Sequence, residues 1–179
     1  MIKKILLVLL VLLVAFVVVV MMQPATFRIT RTAVVNAPPA TVFPYANNLH
    51  KWQEWSPWAK IDPNCKVTFE GPQEGPGAIF RWDGNNEVGA GSMTITETKP
   101  DELVRIDLVF LKPFAGKSVT DFGFKPEGPG TRVTWTMSGT NDFIGKAMGL
   151  IMNCDKMVGG QFEKGLDSLK AIVEPQAKK

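Results

Sequence analysis

An α+β domain carried on an N-terminal membrane helix is the fold class that the sequence predicts, on three observations. Residues Ile5 to Met22 form an unbroken apolar run, and no charge occurs from Ile5 through Phe27. Between Lys66 and Ser138 apolar and polar residues alternate, the period of a sheet with one buried face. From Phe143 to Val173 apolar residues recur every three or four positions, the stripe of one long helix. The expected architecture is a seven-stranded curved antiparallel sheet wrapped around that C-terminal helix, with two short helices after the first strand.

The apolar run comes first. At about 1.5 Å rise per residue it covers about 27 Å, enough to cross the hydrocarbon core of a bilayer. A cleaved secretory signal is the alternative, but its apolar stretch is usually about 7–15 residues and ends at a small-x-small site. The exit here, Val20-Met-Met-Gln-Pro24, offers none. A buried soluble helix is the weakest reading. Lys3, Lys4 and the amino terminus favour a cytoplasmic N-terminus, which exports the remainder. Arg28 and Arg31 oppose this, but they fall within the folded domain. The expected organisation is an anchor and linker over 1–25, one domain over 26–174, and a tail over 175–179. The expected location is a single-pass membrane protein with its domain on the extracytoplasmic side, or an exported domain if the segment is cleaved.

Of the chain's 20 Lys and Arg, Lys3 and Lys4 precede the apolar run, leaving 18 against 17 Asp and Glu. The domain is therefore close to neutral, and with no basic stripe it is not expected to bind nucleic acid. Cys65 and Cys154 could form one disulfide in an exported domain. Cys154 falls on the apolar stripe of the last helix, however, where an unpaired core cysteine would sit.

The domain opens with a strand over Phe27 to Val35. Asn36-Ala-Pro-Pro-Ala-Thr41 breaks it, and Val42 to Trp58 carries helical spacings, as two short helices meeting near Asn47-Asn48. Pro44 would cost about 3 kcal/mol inside a helix. A start capped by Thr41 places it harmlessly in the first turn. In the sheet, one face collects Ala78, Phe80 and Trp82, then Val104, Ile106, Leu108 and Phe110, then Phe122 and Phe124, then Val133, Trp135 and Met137. Gly75-Pro-Gly77, Asp83-Gly-Asn-Asn86, Lys99-Pro-Asp101, Lys112-Pro113 and Glu127-Gly-Pro-Gly130 separate these runs as turns. The last helix carries Phe143, Ala147, Ile151, Cys154, Val158, Phe162, Leu166, Leu169 and Val173 on one stripe. Asn141 or Asp142 can cap it, and Pro175 ends it. Its glycines, among them Gly159, Gly160 and Gly165, imply close approach to the sheet or a kink near Gly159-Gly160.

Two segments carry a family likeness: Val35-Asn-Ala-Pro-Pro-Ala-Thr-Val-Phe43, and Asn48-Leu-His-Lys-Trp-Gln-Glu-Trp-Ser-Pro-Trp58. Gly89-Ala-Gly-Ser-Met-Thr-Ile-Thr96, Gly130-Thr-Arg-Val-Thr-Trp135 and Met157-Val-Gly-Gly-Gln-Phe-Glu-Lys-Gly-Leu166 add to it. Together they resemble the START-like (SRPBCC, Bet v 1-like) superfamily, particularly its polyketide cyclase/dehydrase branch, over about residues 27–173. That resemblance implies a helix-grip fold with a deep apolar cavity between sheet and C-terminal helix. Members bind lipids, sterols, polyketides or plant hormones there, and only some catalyse a reaction, so the fold alone does not assign one.

The chemistry-bearing residues are few. The single histidine, His50, reads as a helix-surface or rim residue. No serine lies in a G-x-S-x-G elbow, and no H-x-x-x-H, C-x-x-C or D-x-D spacing occurs, so neither a metal nor another cofactor is expected. Asp107, Asp121, Arg81 and Arg105 fall on the outward parity of their strands. Glu87 and Glu97 share a parity with Met93 and Ile95 but stand at strand ends, and Glu54 lies between two tryptophans near the expected cavity mouth. Tyr45 is the only phenol.

Aromatic and aliphatic residues are the stronger signal. The expected pocket lining is Trp52, Trp55, Trp58, Phe80, Trp82, Ile106, Leu108, Phe110, Phe122, Phe124, Trp135, Met137, Ile151, Val158 and Phe162. Simple core packing is the competing account of the tryptophans. Three functions follow. The first is a membrane-anchored binder of a hydrophobic small molecule or lipid. The second is a cyclase or dehydratase using an inward acid or base, and the third a ligand-free interaction module. No protein partner is indicated.

Overall fold

The computed structural model describes residues 1–177; Lys178 and Lys179 of the tail lie outside the described residues. Helix α1 (Ile2–Met21) is long and apolar enough to cross a membrane, and only Val17 and Val20 along it are covered by other parts of the chain. Strand β1 (Thr26–Val35) follows. The remaining strands are β2 (Lys66–Glu70), β3 (Ile79–Asp83), β4 (Ala90–Lys99), β5 (Leu103–Lys112), β6 (Gly116–Glu127) and β7 (Gly130–Thr140). They form one sheet in the order β1-β7-β6-β5-β4-β3-β2, antiparallel at every step.

This topology brings alternate strand ends together. Thr26 pairs with Thr140, Ser118 with Gly139, Phe110 with Gly116, Asp83 with Ala90 and Lys66 with Asp83. All of them lie at the end of the sheet where the chain arrives from α1, here termed the anchor end. The opposite end carries Val35, Thr131, Leu103 and Glu70.

Prolines divide the segment after β1 more finely than the two expected helices. It forms α2 (Pro39–Val42), α3 (Pro44–Asn47), α4 (Leu49–Trp55) and a 3-10 turn over Pro57–Lys60. Thr41 caps nothing. Pro44 opens α3 itself, at a position where the missing N–H is no loss. Asn48 caps α4, its Oδ1 accepting from the backbone N–H groups of His50 (3.0 Å) and Lys51 (3.4 Å).

The expected single C-terminal helix is two helices, α5 (Phe143–Ile151) and α6 (Cys154–Val173). Asp142 caps the first, accepting from Gly145 N–H at 2.7 Å, and Asn153 caps the second, accepting from Lys156 N–H at 2.9 Å. The break therefore lies at Met152-Asn153, not at Gly159-Gly160. Hydrophobic spacing runs through it unchanged, which hides it from a periodicity argument. Cys154 consequently sits in the exposed first turn of α6 and not in the core; it and Cys65 are both free thiols, so the disulfide does not form.

Close approach accounts for two helical glycines. Asp155 and Glu163 lie one turn to either side of Gly159, and both bind Arg31 of β1, at 3.0 and 2.6 Å. The guanidinium lies over Gly159, where a Cβ would collide with it. At Gly165 a Cβ would stand 2.8 Å from Cζ3 of Trp135. Helix α6 thus lies flush on the sheet, burying Phe162, Leu166, Leu169 and Val173.

Candidate functional site

A cavity of about 400 Å³ lies between the concave face of the sheet and α6, in the half of the sheet nearer the anchor end. Strand parity supplies its floor: Phe80 and Trp82 from β3, Met93 from β4, Leu108 and Phe110 from β5, and Trp135 and Met137 from β7. Val158 and Phe162 of α6 close one side. Trp52 of α4, Trp58 of the 3-10 turn and the loop residues Asp62, Pro63 and Cys65 close the other.

The walls are held by aromatic packing. Trp135 stacks on Phe162 at 4.0 Å and meets Trp52 edge to face at 5.3 Å. Trp58 stands against Trp135 at 6.0 Å and Phe162 at 6.3 Å, both nearly perpendicular. These offset and T-shaped contacts satisfy the quadrupoles of the rings and fix the wall geometry. Trp82 is set by its indole N–H, which donates to the Val88 carbonyl at 3.2 Å, and by stacking on Phe80 at 5.8 Å. Gly91 is the condition for that pose, because a Cβ there would stand 2.6 Å from the Trp82 ring.

Of the expected lining residues, the structure brings Trp52, Trp58, Phe80, Trp82, Leu108, Phe110, Trp135, Met137, Val158 and Phe162 to the cavity. It places the others elsewhere. Trp55, Ile106, Phe122 and Phe124 are packed in solid core with no cavity face, and Ile151 is exposed on α5. Parity identified the correct face of the sheet but not how far along it the cavity extends. Met93, Val67 and Val88 were not expected. Met93 was legible from its parity with Gly91 and Ile95, whereas the residues of the Ile61–Cys65 loop carry no periodic signal.

Polar groups in the lining are few: Gln53, Ser56, Asp62 and Cys65. Asp62 is already engaged, its carboxylate accepting from Asn64 N–H at 3.0 Å and from Asn85 N–H at 2.7 Å, which pins the two loops at the mouth. Burial pushes the Cys65 thiol up from its ordinary pKa, with the Asp62 charge adding to it, the reverse of an activated nucleophile. The other candidates face away. His50 is exposed and stacks on Phe69 at 3.7 Å, Glu54 is exposed, and Tyr45 donates its hydroxyl to Gln176 Oε1 at 3.0 Å outside the cavity. Glu97 turns outward because β4 shifts register between Ile95 and Glu97, and it joins Arg105 (3.0 Å), which also binds Asp121 (2.8 Å). Among the described residues the buried indole N–H of Trp135 has no oxygen or nitrogen partner and is surrounded by the faces and edges of neighbouring rings.

A seven-stranded antiparallel sheet gripping a C-terminal helix over an aromatic cavity defines the Bet v 1-like helix-grip class. Within it, the family described as polyketide cyclase / dehydrase and lipid transport matches residues 26–174, and the chain belongs to that family. No curated protein matches the chain. Solved structures similar to it include a protein from Chromobacterium violaceum, 18% identical, with a TM-score of 0.60 over 85% of this chain and 99% of that one. The Aha1 dimer from Colwellia psychrerythraea is 17% identical, with a TM-score of 0.59 over 83% of this chain and 96% of that one. Ara h 8.0201 is 11% identical, with a TM-score of 0.60 over 83% of this chain and 97% of that one. At these identities the likeness is one of fold.

Proposed function

We propose that this chain is a membrane-anchored domain that binds one hydrophobic small molecule or lipid in the cavity beside α6, with its N-terminus cytoplasmic and its domain on the extracytoplasmic side. The observation that carries the reading is the cavity itself. About 400 Å³ walled mainly by aromatic and aliphatic side chains falls in the range of small-molecule sites, and a lining so poor in polar groups suits an apolar guest. The family description, which includes lipid transport, supports the same reading. Tethering through α1 would shorten the path of such a guest through water.

A cyclase or dehydratase needs an acid or base aimed at the substrate. Among the described residues the single lining carboxylate, Asp62, is occupied by two backbone N–H groups, so no observation favours that reading. The test is titration of the detergent-solubilised full chain with a fluorescent sterol and a fluorescent fatty alcohol, read by energy transfer from its tryptophans. Saturable one-to-one binding of either probe, competed by unlabelled lipid, is the expected result. Binding of neither, with the chain folded by circular dichroism, would reject the proposal.

A further inference from the structure

We infer that α5 and the β5–β6 turn form a second membrane contact, lying in the headgroup layer of the bilayer that α1 crosses and seating the cavity mouth against it. The inference rests on the anchored reading above. Helix α5 reads Phe143-Ile-Gly-Lys-Ala-Met-Gly-Leu-Ile151 and buries none of these residues. Phe143, Ile144, Leu150 and Ile151 are exposed, Ile151 to 80%. A contiguous exposed apolar face of this kind marks an interaction surface.

Its neighbour identifies the occupant. Helix α5 packs against α1, and Lys146 Nζ donates to the Met21 carbonyl at 3.4 Å. Val17 and Val20, one turn apart, are the only covered residues of α1, so the contact is confined to its last turns. At about 1.5 Å rise per residue Val17 lies about 6 Å along the axis from Met21. An element resting on that stretch of a membrane-crossing helix is held where acyl chains meet headgroups, the depth at which amphipathic helices lie on a bilayer.

The sheet topology adds a second point of contact. The β5–β6 turn sits at the same anchor end and exposes Phe114 to 55%, and beside it Leu111 at the end of β5 is exposed to 63%. The cavity lies in this half of the sheet, with Cys65, Val88 and Phe110 at that end. Contact at both α5 and the turn would therefore bring the mouth to the lipid surface, and a guest would pass between bilayer and cavity without crossing bulk water.

The experiment places an environment-sensitive NBD label at single cysteines in full-length protein carrying Cys65→Ser and Cys154→Ser. The protein is reconstituted into phosphatidylcholine vesicles with and without doxyl-labelled phosphatidylcholine. Labels go on Ile151→Cys and Phe114→Cys, with Leu10→Cys reporting the anchor and the exposed Asp167→Cys on α6 as the aqueous control; all four sites are exposed, and circular dichroism verifies the fold. Doxyl lipid is expected to quench Ile151 and Phe114 labels roughly two-fold or more, to quench Leu10 at least as strongly, and to leave Asp167 unchanged. Quenching at Leu10 with Ile151 and Phe114 matching Asp167 overturns this inference and leaves the anchor standing. No quenching at Leu10 overturns both. A blue-shifted but unquenched Ile151 label means that protein, such as a second copy of the chain, covers α5, which also overturns it.

Discussion

Toward the far end of the concave face Val104, Phe122, Phe124 and Val133 belong to one solid core with Val42, Phe43, Trp55, Leu169 and Val173, all nearly or fully buried. At the anchor end Trp82, Leu108, Phe110 and Met137 face a cavity. The same strands, with the same alternation, supply both. What differs is the cover. The far end lies under α2 to α4, fastened by Thr131 Oγ1 donating to the Ala37 carbonyl at 2.7 Å, by Trp55 Nε1 donating to the Tyr45 carbonyl at 2.9 Å, and by Phe43 edge-on to Phe124 at 5.6 Å. The anchor end has the Trp52 side of α4, a 3-10 turn, a loop and the first half of α6 above it, with bulky indoles propped against one another. Atoms lining the void forgo dispersion partners that the far end has, so the hollow half gives up stability in exchange for space.

Truncating a side chain should cost far more in the solid half than in the hollow one. Phe122→Ala opens a new cavity in the solid half and is expected to destabilise the domain by about 3–5 kcal/mol. Leu108→Ala only enlarges an existing void and should cost less than about 2 kcal/mol. Urea denaturation of the two variants measures the contrast, and equal losses would mean that the anchor end is as tightly packed as the far end.

The seam between α6 and the sheet has no room for an added methyl at Gly165. Gly165→Ala drives a methyl into Trp135, the wall shared by both halves, for an expected loss of about 1–3 kcal/mol. Gly160→Ala meets nothing within 4 Å and removes a poor helix former, so a gain of up to about 1 kcal/mol is expected. Thermal melts that moved in the same direction for both would contradict the close approach of α6.

The smallest expected effect is electrostatic. Arg31 hydrogen-bonds to Asp155 and holds its carboxyl below the usual aspartate range. A lowered folded-state pKa means that the unfolded chain takes up the proton first as pH falls. The stabilisation is therefore present in full above the ordinary aspartate pKa near 4, and is lost as pH drops through the lowered value. The pair is partly exposed, so the contribution is small. Asp155→Asn should lower stability slightly at neutral pH, leave it nearly unchanged once the wild-type carboxyl is protonated, and so flatten the acid limb between them, whereas a steeper acid limb would rule out the Arg31 contact.

The sheet was legible because one-sided burial leaves a period-two record; Phe80, Trp82, Trp135 and Met137 face inward as their spacing requires. The cavity boundary was less legible. Phe122 and Leu108 have identical inward signatures, and only the placement of α2 to α4 over one of them decides which is core and which is wall. The α5–α6 break escaped detection because Ile151 and Cys154 keep helical spacing across it, while the Asn153 cap that makes it resembles any other asparagine in a polar stretch. The register shift at Ile95 and Glu97 likewise reverses parity without a glycine or proline to announce it.

If the hollow half holds a guest, the guest should travel with the protein through purification. Native mass spectrometry of the detergent-extracted full chain, followed by organic extraction, tests it most directly, using wild type beside Leu108→Phe combined with Val158→Trp, which fills the cavity from two walls. One apolar molecule per wild-type chain, absent from the filled variant, is the expected result. An empty wild type that also takes up no added lipid, or a filled variant that retains the molecule equally well, would contradict it.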